Sequence, residues 1–365
     1  MANELYLAST PLHLLNAIAI ASSRPDHQSH IILIDQPVVE GNPYFSILRH
    51  WQDSPFRSLN IFQGRIKGIR EKLAARKIIF NELDDIIQTL NPSRIYTGND
   101  RRIEFQYAMQ SQFKQHGHQA VGIYMDEGTF TYVGRKDSAS ISDKYIDNVI
   151  KKLTYGFWWK NPITIGASDW IKEIYAAFPD KVHPLLQGKQ LNALQRCYEN
   201  NAIVQSFCSE LITYFQAKVG AISQLDAILT LPHESIIDSL DGYRESMLSA
   251  LQQLTDAELK VGIKYHPRNT NPDILNCADR EGVSVLPHQI PFEAILPLLD
   301  ECIIIGDISS TLINGRWLKP NAQILSIANP EVPLFDEFVT FFNDIGVTSI
   351  PVSQLQEQLQ QVLNA

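Results

Sequence analysis

Short apolar runs recur along the chain, and most of them end in glycine, proline or a charged residue. Leu5-Tyr6-Leu7-Ala8 is the first, a continuous apolar run too short for a helix and therefore read as a buried strand. Ser9-Thr10-Pro11 follows at once. Thr10 suits an N-cap and Pro11 the first helical position, so a helix through Ala21 is expected. His30 to Ile34 reads as a second strand and Leu59 to Phe62 as a weaker third. Leu73, Ile78, Ile79, Leu83, Ile86 and Leu90 fall near helical spacing over 66–90, and Asn91-Pro92 stops that helix. Arg94 to Thr97 is a strand ending in Gly98-Asn99-Asp100-Arg101, and a helix over 102–115 leads to another from Ala120 to Met125. This last run ends in Asp126-Glu127-Gly128-Thr129. Strands alternating with helices predict a parallel sheet covered on both faces.

The same alternation returns after residue 221, with strands at 227–231, 260–265, 283–286, 302–305 and 322–326. Helices are expected at 240–254, 291–299 and 312–318, with an amphipathic one from Val352 to Asn364. Leu191 to Phe215 reads as a long connecting helix. The resulting plan is α/β: an N-terminal Rossmann-like domain over 1–180, a helical connection over 181–220, a C-terminal Rossmann-like domain over 221–350 and a terminal helix over 351–365. A ligand cleft between the two domains is the architecture this order suggests.

At 365 residues and 44% hydrophobic composition the chain can bury two cores. Its 31 basic and 40 acidic residues give a net charge of −9, which argues against a general nucleic-acid binder. Cys197, Cys208, Cys277 and Cys302 lack metal-like spacing and read as reduced thiols. The N-terminus has no secretory pattern and no stretch is apolar enough to span a membrane, so a cytoplasmic location is expected. One region departs from this picture. Lys151, Lys152, Tyr155, Phe157, Trp158, Trp159 and Lys160 mix aromatics with lysines, which suits either a peripheral membrane contact or a packed aromatic cluster.

The candidate chemistry sits at strand ends, where open α/β sheets bind ligands. Asp126 and Glu127 end the run of apolar and β-prone residues from Ala120 to Met125, and either a general base at Asp126 or a turn of solvated acids fits them. Thr10 and Asn99-Asp100 also follow strand ends and are expected on the same edge as Asp126, with Gly128 supplying the turn. In the second half, Ser309-Ser310 lies between a buried strand and a helix, where hydroxyls and free N–H groups form an anion site. Simple N-capping accounts for the same serines. His266, followed by Pro267 and flanked by Lys264 and Arg268, could donate to a phosphate or satisfy its own turn. Glu293 opens a helix and could hold ribose hydroxyls. Neither a dinucleotide fingerprint nor a Walker loop is present, and no metal-ligand set is evident.

Taken together, Asp126-Glu127-Gly128, His266-Pro267 and Ser309-Ser310 resemble the bacterial sialyltransferases and polysialyltransferases, which share an acidic pair with glycine, a His-Pro motif and a Ser/Thr-Ser motif in this order. Thr10-Pro11-Leu12, Gly98-Asn99-Asp100 and Pro291-Phe292-Glu293 extend the likeness over nearly the whole chain. The resemblance implies a GT-B fold and an inverting, metal-independent transfer from CMP-sialic acid to a glycan hydroxyl, with no cofactor. It implies Asp126 as the base, His266 assisting the departing phosphate, and Ser309 and Ser310 binding it. Lys264 and Pro267 would support the nucleotide and Glu293 would hold its ribose. Thr10, Asn99, Asp100, Glu127 and Gly128 would lie on the acceptor side. CMP-Kdo or another nucleotide sugar as donor, or nucleotide-sugar binding without turnover, are the alternatives.

Overall fold

The computed structural model describes residues 1–64, 66, 68–134, 152, 156–327, 329–332 and 334–364. The chain divides into two compact units, Met1–Phe207 and Cys208–Ala365.

The first unit is built on seven strands: β1 (Asn3–Ala8), β2 (Gln28–Gln36), β3 (Phe56–Gln63), β4 (Arg94–Thr97), β5 (Val121–Met125), β6 (Ile171–Ala176) and β7 (Gln190–Ala193). They form one parallel sheet in the order β3-β2-β1-β4-β5-β6-β7. The central strands are buried on both faces, which explains why each reads as an unbroken apolar run. Helices α1 (Pro11–Ser22), α2 (Pro43–His50), α3 (Ile69–Leu90), α4 (Ile103–His116) and the short α5 (Thr129–Tyr132) connect the strands up to residue 132. The chain builds outward from β1 to β3, then returns and builds the other way from β4. The reversal lies between β1 and β4, and crevices at such points hold ligands in doubly wound folds.

The second unit repeats the plan with β8 (Ala227–Thr230), β9 (Val261–Lys264), β10 (Val283–Val285), β11 (Ile303–Gly306), β12 (Ile324–Ser326) and β13 (Thr348–Ser349). Their order is β10-β9-β8-β11-β12-β13, all parallel, so its reversal lies between β8 and β11. The helix Tyr243–Asp256 lays Met247, Ala250, Leu251 and Leu254 on Leu229, Ile263 and Ile305, and Leu355 and Leu359 of the terminal helix join this core. Each large side chain so buried contributes roughly 1.5–3 kcal/mol.

The segment 190–214 departs from the expected single helix. It holds β7, a short turn of helix at Gln195–Tyr198 and a separate helix Ala202–Tyr214. Asn200 adopts φ +52, and the Asn201 side chain accepts the N–H groups of Ile203 and Val204, which starts the helix afresh. β6 escapes a pattern reading because Lys172 and Glu173 interrupt its apolar positions.

Candidate active site

At the reversal point of the first sheet, Ser9-Thr10 follow the end of β1 and Gly98-Asn99 the end of β4. The Thr10 hydroxyl accepts the His13 N–H at 3.2 Å and so caps α1, which places His13 in the first turn. Its ring is buried against Gly98. A Cβ there would come within 2.2 Å of the imidazole, so the close approach requires glycine. Ser9 Oγ lies 3.0 Å from His13 Nδ1, and His13 Nε2 lies 3.7 Å from Glu127 Oε2. Burial, reinforced by the Arg102 charge, pushes the His13 pKa down to about 3, so the ring is neutral at pH 7. Arg102 itself pairs with Asp35 at 2.5 Å.

Asp126 and Glu127 are neighbours with different surroundings. The Asp126 carboxylate is 4% exposed and accepts four hydrogen bonds. Oδ1 takes the Gly128 N–H at 2.8 Å and the Thr131 hydroxyl at 2.7 Å; Oδ2 takes the Tyr132 hydroxyl and the Ala177 N–H at 3.0 Å. Gly128, at φ +105, lets its N–H turn back to this carboxylate. Burial raises the Asp126 pKa against the pull of these donors. The Asp126 carbonyl also accepts Asn16 Nδ2 at 2.9 Å, which ties the end of β5 to α1. Glu127 instead sends its carboxylate toward His13, where its side chain is 15% exposed.

Two other candidates of this edge are built into the chain's turns. The buried Asp100 carboxylate accepts the N–H groups of Gly166 at 2.9 Å and Ser168 at 2.8 Å, and burial raises its pKa. The Asn99 side chain accepts the Arg101 N–H at 3.0 Å. Of the five acceptor-side candidates, Thr10 meets the His13 backbone and Glu127 approaches the His13 ring.

In the second unit, the helix Ser310–Leu318 begins directly after β11. Ser309 caps it, accepting the Thr311 N–H at 3.2 Å and meeting the Thr311 hydroxyl at 2.9 Å. Thr311 in turn lies 3.2 Å from the Thr230 hydroxyl at the end of β8, so a line of hydroxyls bridges the reversal point. His266 follows β9, and its Nδ1 accepts the Arg268 N–H at 3.1 Å. The proton of the neutral ring therefore sits on Nε2. Burial first, then Arg268, His233 and Lys264, push its pKa down to about 4. Pro267 is exposed in the turn that follows.

Lys264 and Glu293 are internal braces. Lys264 is 3% exposed and donates to the carbonyls of Tyr265 at 2.9 Å and His288 at 3.1 Å, tying the ends of β9 and β10 together. Burial pushes its pKa down to about 8, with Glu293 opposing. The buried Glu293 carboxylate accepts Asn314 Nδ2 at 2.6 Å, and Asn314 accepts the Trp317 indole N–H at 3.0 Å. Burial raises its pKa. His13 and His233 went unremarked among the candidates because their significance depends on neighbours from other strands.

Part of the aromatic–lysine region is among the described residues. Lys151 and Tyr155 lie outside the described residues. Trp158 packs edge-on against Phe80 and Tyr107, and Trp159 is buried. Phe157 is 84% exposed. Among the described residues, no helix is long and apolar enough to cross a membrane, and no group of three His, Cys, Asp or Glu stands close enough to hold a metal. All four cysteines are free and buried.

Solved structures share this fold. UDP-GlcNAc 2-epimerase from Neisseria meningitidis, bound to UDP-GlcNAc, aligns with a TM-score of 0.53 at 11% identity over 100% of this chain and 92% of its own. Staphylococcus aureus MnaA with UDP gives 0.53 at 11% over 100% and 89%. Arabidopsis thaliana UGT89C1 with UDP gives 0.53 at 10% over 99% and 90%. At such identities the likeness establishes the GT-B fold alone. No curated protein sequence matches the chain. The family model for alpha-2,8-polysialyltransferase (POLYST) matches residues 56–328, well over half of the chain, and spans Asp126-Glu127-Gly128, His266-Pro267 and Ser309-Ser310. The chain belongs to the alpha-2,8-polysialyltransferase family and is a sialyltransferase-like glycosyltransferase.

Proposed function

We propose that the protein transfers sialic acid from CMP-sialic acid to a hydroxyl of a sialylated glycan, with inversion and without a metal. In this reading the acceptor O–H gives its proton to a carboxylate as its oxygen attacks the anomeric carbon. The bond from that carbon to the phosphate oxygen breaks, and CMP leaves with the electron pair. A single displacement inverts the anomeric centre. Charge builds on the departing phosphate, where His266 Nε2–H, the Ser309 and Ser310 groups and the start of the helix Ser310–Leu318 supply donors.

The observation that carries this reading is the division of chemistry between the two reversal points. The first holds a carboxylate and the second holds neutral hydrogen-bond donors. Within the acidic pair we assign the base to Glu127. The resemblance places it on Asp126, whose carboxylate is enclosed by four donors that would have to be given up before it could take a proton. Asp126 then acts as the clamp that orients the turn. His13 is a positioning residue, its Nε2 3.7 Å from Glu127 Oε2 and its Nδ1 3.0 Å from the Ser9 hydroxyl.

The test is CMP release from CMP-sialic acid in the presence of oligosialic acid, beside CMP-Kdo and UDP-sugars. CMP release matched by acceptor extension supports the reading. Turnover of CMP-Kdo or a UDP-sugar in its place would overturn the donor assignment.

A further inference from the structure

β8 and β9 end in loops built to one pattern. His266 Nδ1 accepts the N–H of Arg268, two residues on, at 3.1 Å. His233 Nδ1 accepts the N–H of Ser235, again two residues on, at 3.2 Å, and meets the Ser235 hydroxyl at 2.9 Å. A ring nitrogen that accepts a backbone N–H carries no proton, so in both rings the N–H is at Nε2. The two rings lie edge to face with centroids 5.4 Å apart.

The pairing is held by the loops themselves. Glu234 accepts the Thr270 hydroxyl at 2.8 Å, along with the N–H groups of Thr270 and Asn271. In return Asn269 accepts the Glu234 N–H at 3.1 Å. The topology puts His233 closer to the reversal point than His266. β8 borders β11 directly, whereas β9 lies one strand further out. Thr230, which ends β8 three residues before His233, is within 3.2 Å of Thr311 in the first turn of the helix after β11.

We propose that His233 is a second imidazole donor to the phosphate of the leaving nucleotide, acting beside His266. The inference rests on the nucleotide-sugar reading above. The step is a hydrogen bond and not a proton transfer. Nε2 keeps its proton, and the nucleotide leaves with its phosphate charge shared between two N–H groups. This arrangement serves a displacement in which negative charge grows on the phosphate, because both donors are in place before the charge develops.

The test compares His233→Asn with the wild-type chain. Asparagine retains a side-chain acceptor for the Ser235 N–H, so the loop keeps its cap, while the Nε2–H is lost. Binding of CMP and of cytidine is measured by calorimetry, together with kcat and KM for transfer. A charge-assisted hydrogen bond predicts CMP binding weakened roughly tenfold or more, with cytidine binding unchanged. It also predicts a larger fall in kcat than rise in KM. Equal losses for CMP and cytidine, or no loss for either, would overturn the proposal. If the wild-type chain binds UMP in place of CMP, the donor reading fails, while the ratio of UMP to uridine binding in His233→Asn still decides the role of His233. Absence of any nucleoside monophosphate binding would overturn both.

Discussion

His13 Nε2 stands 3.7 Å from the Glu127 carboxylate at the first reversal point, and the next carboxylate in the chain, Asp126, is turned into the fold. Adjacent residues at a strand end point in opposite directions, so one acid can serve the turn while the other serves the crevice.

Glu127→Gln is expected to lower kcat by roughly a hundredfold or more, the usual worth of a general base, while leaving CMP affinity and thermal stability near wild type. Asp126→Asn should act mainly on stability. Its new amide group must face the Thr131 or Tyr132 hydroxyl or a backbone N–H, at a cost of about 1–3 kcal/mol for each group left unsatisfied. Kinetics and thermal melts on the pair separate the roles. A stable but inactive Asp126→Asn beside an active Glu127→Gln would return the base to Asp126.

Gly98→Ala places a methyl group against the His13 ring. Overpacking of this kind costs about 1–3 kcal/mol. The displaced imidazole should also loosen its hold on Glu127, so kcat is expected to fall more than KM rises. Denaturant unfolding at wild-type midpoint would contradict the close contact.

Lys264 gives stability a pH dependence of predictable sign. Its pKa in the fold is about 8, below the ordinary 10.5 of lysine. The unfolded chain therefore binds more protons between these values, and stability rises as pH rises from 8 toward 10.5. The gain is on the order of 3 kcal/mol. Lys264→Met removes that rise, which denaturant melts across pH 7–10 would detect. Parallel curves for the two proteins would show that the ammonium is not desolvated as described.

Chelation provides a fourth check. If hydrogen-bond donors alone meet the phosphate charge, transfer in excess EDTA should run at the untreated rate. A loss restored by a divalent cation would show that the donors around His266 and Ser309 are not sufficient.

Much of the fold was legible because a parallel sheet buried on both faces writes each inner strand as a plain apolar run, as in Leu5–Ala8 and Ile303–Ile305. Strand ends in such a sheet share one edge, so Asp126 could be placed at the edge of the first sheet, and His266 and Ser309 at that of the second, from the sequence alone. What stayed hidden depends on distant partners. Asp100 serves the backbone of Gly166 and Ser168, and Lys264 serves the carbonyl of His288, contacts that no local pattern records. Trp158 is claimed by Phe80 and Tyr107 from α3 and α4. That Asp126 and Glu127 diverge follows from strand geometry; which of them reaches His13 does not.

The most direct measurement is mass spectrometry of an α-2,8-linked oligosialic acid acceptor incubated with the protein and CMP-sialic acid, with CMP quantified in the same sample. The account predicts acceptor masses that grow by whole sialic acid units, matched one for one by CMP, with both products forming roughly a hundredfold or more slowly in Glu127→Gln. Unchanged acceptor and intact CMP-sialic acid, alongside conversion of UDP-GlcNAc by the same preparation, would contradict it.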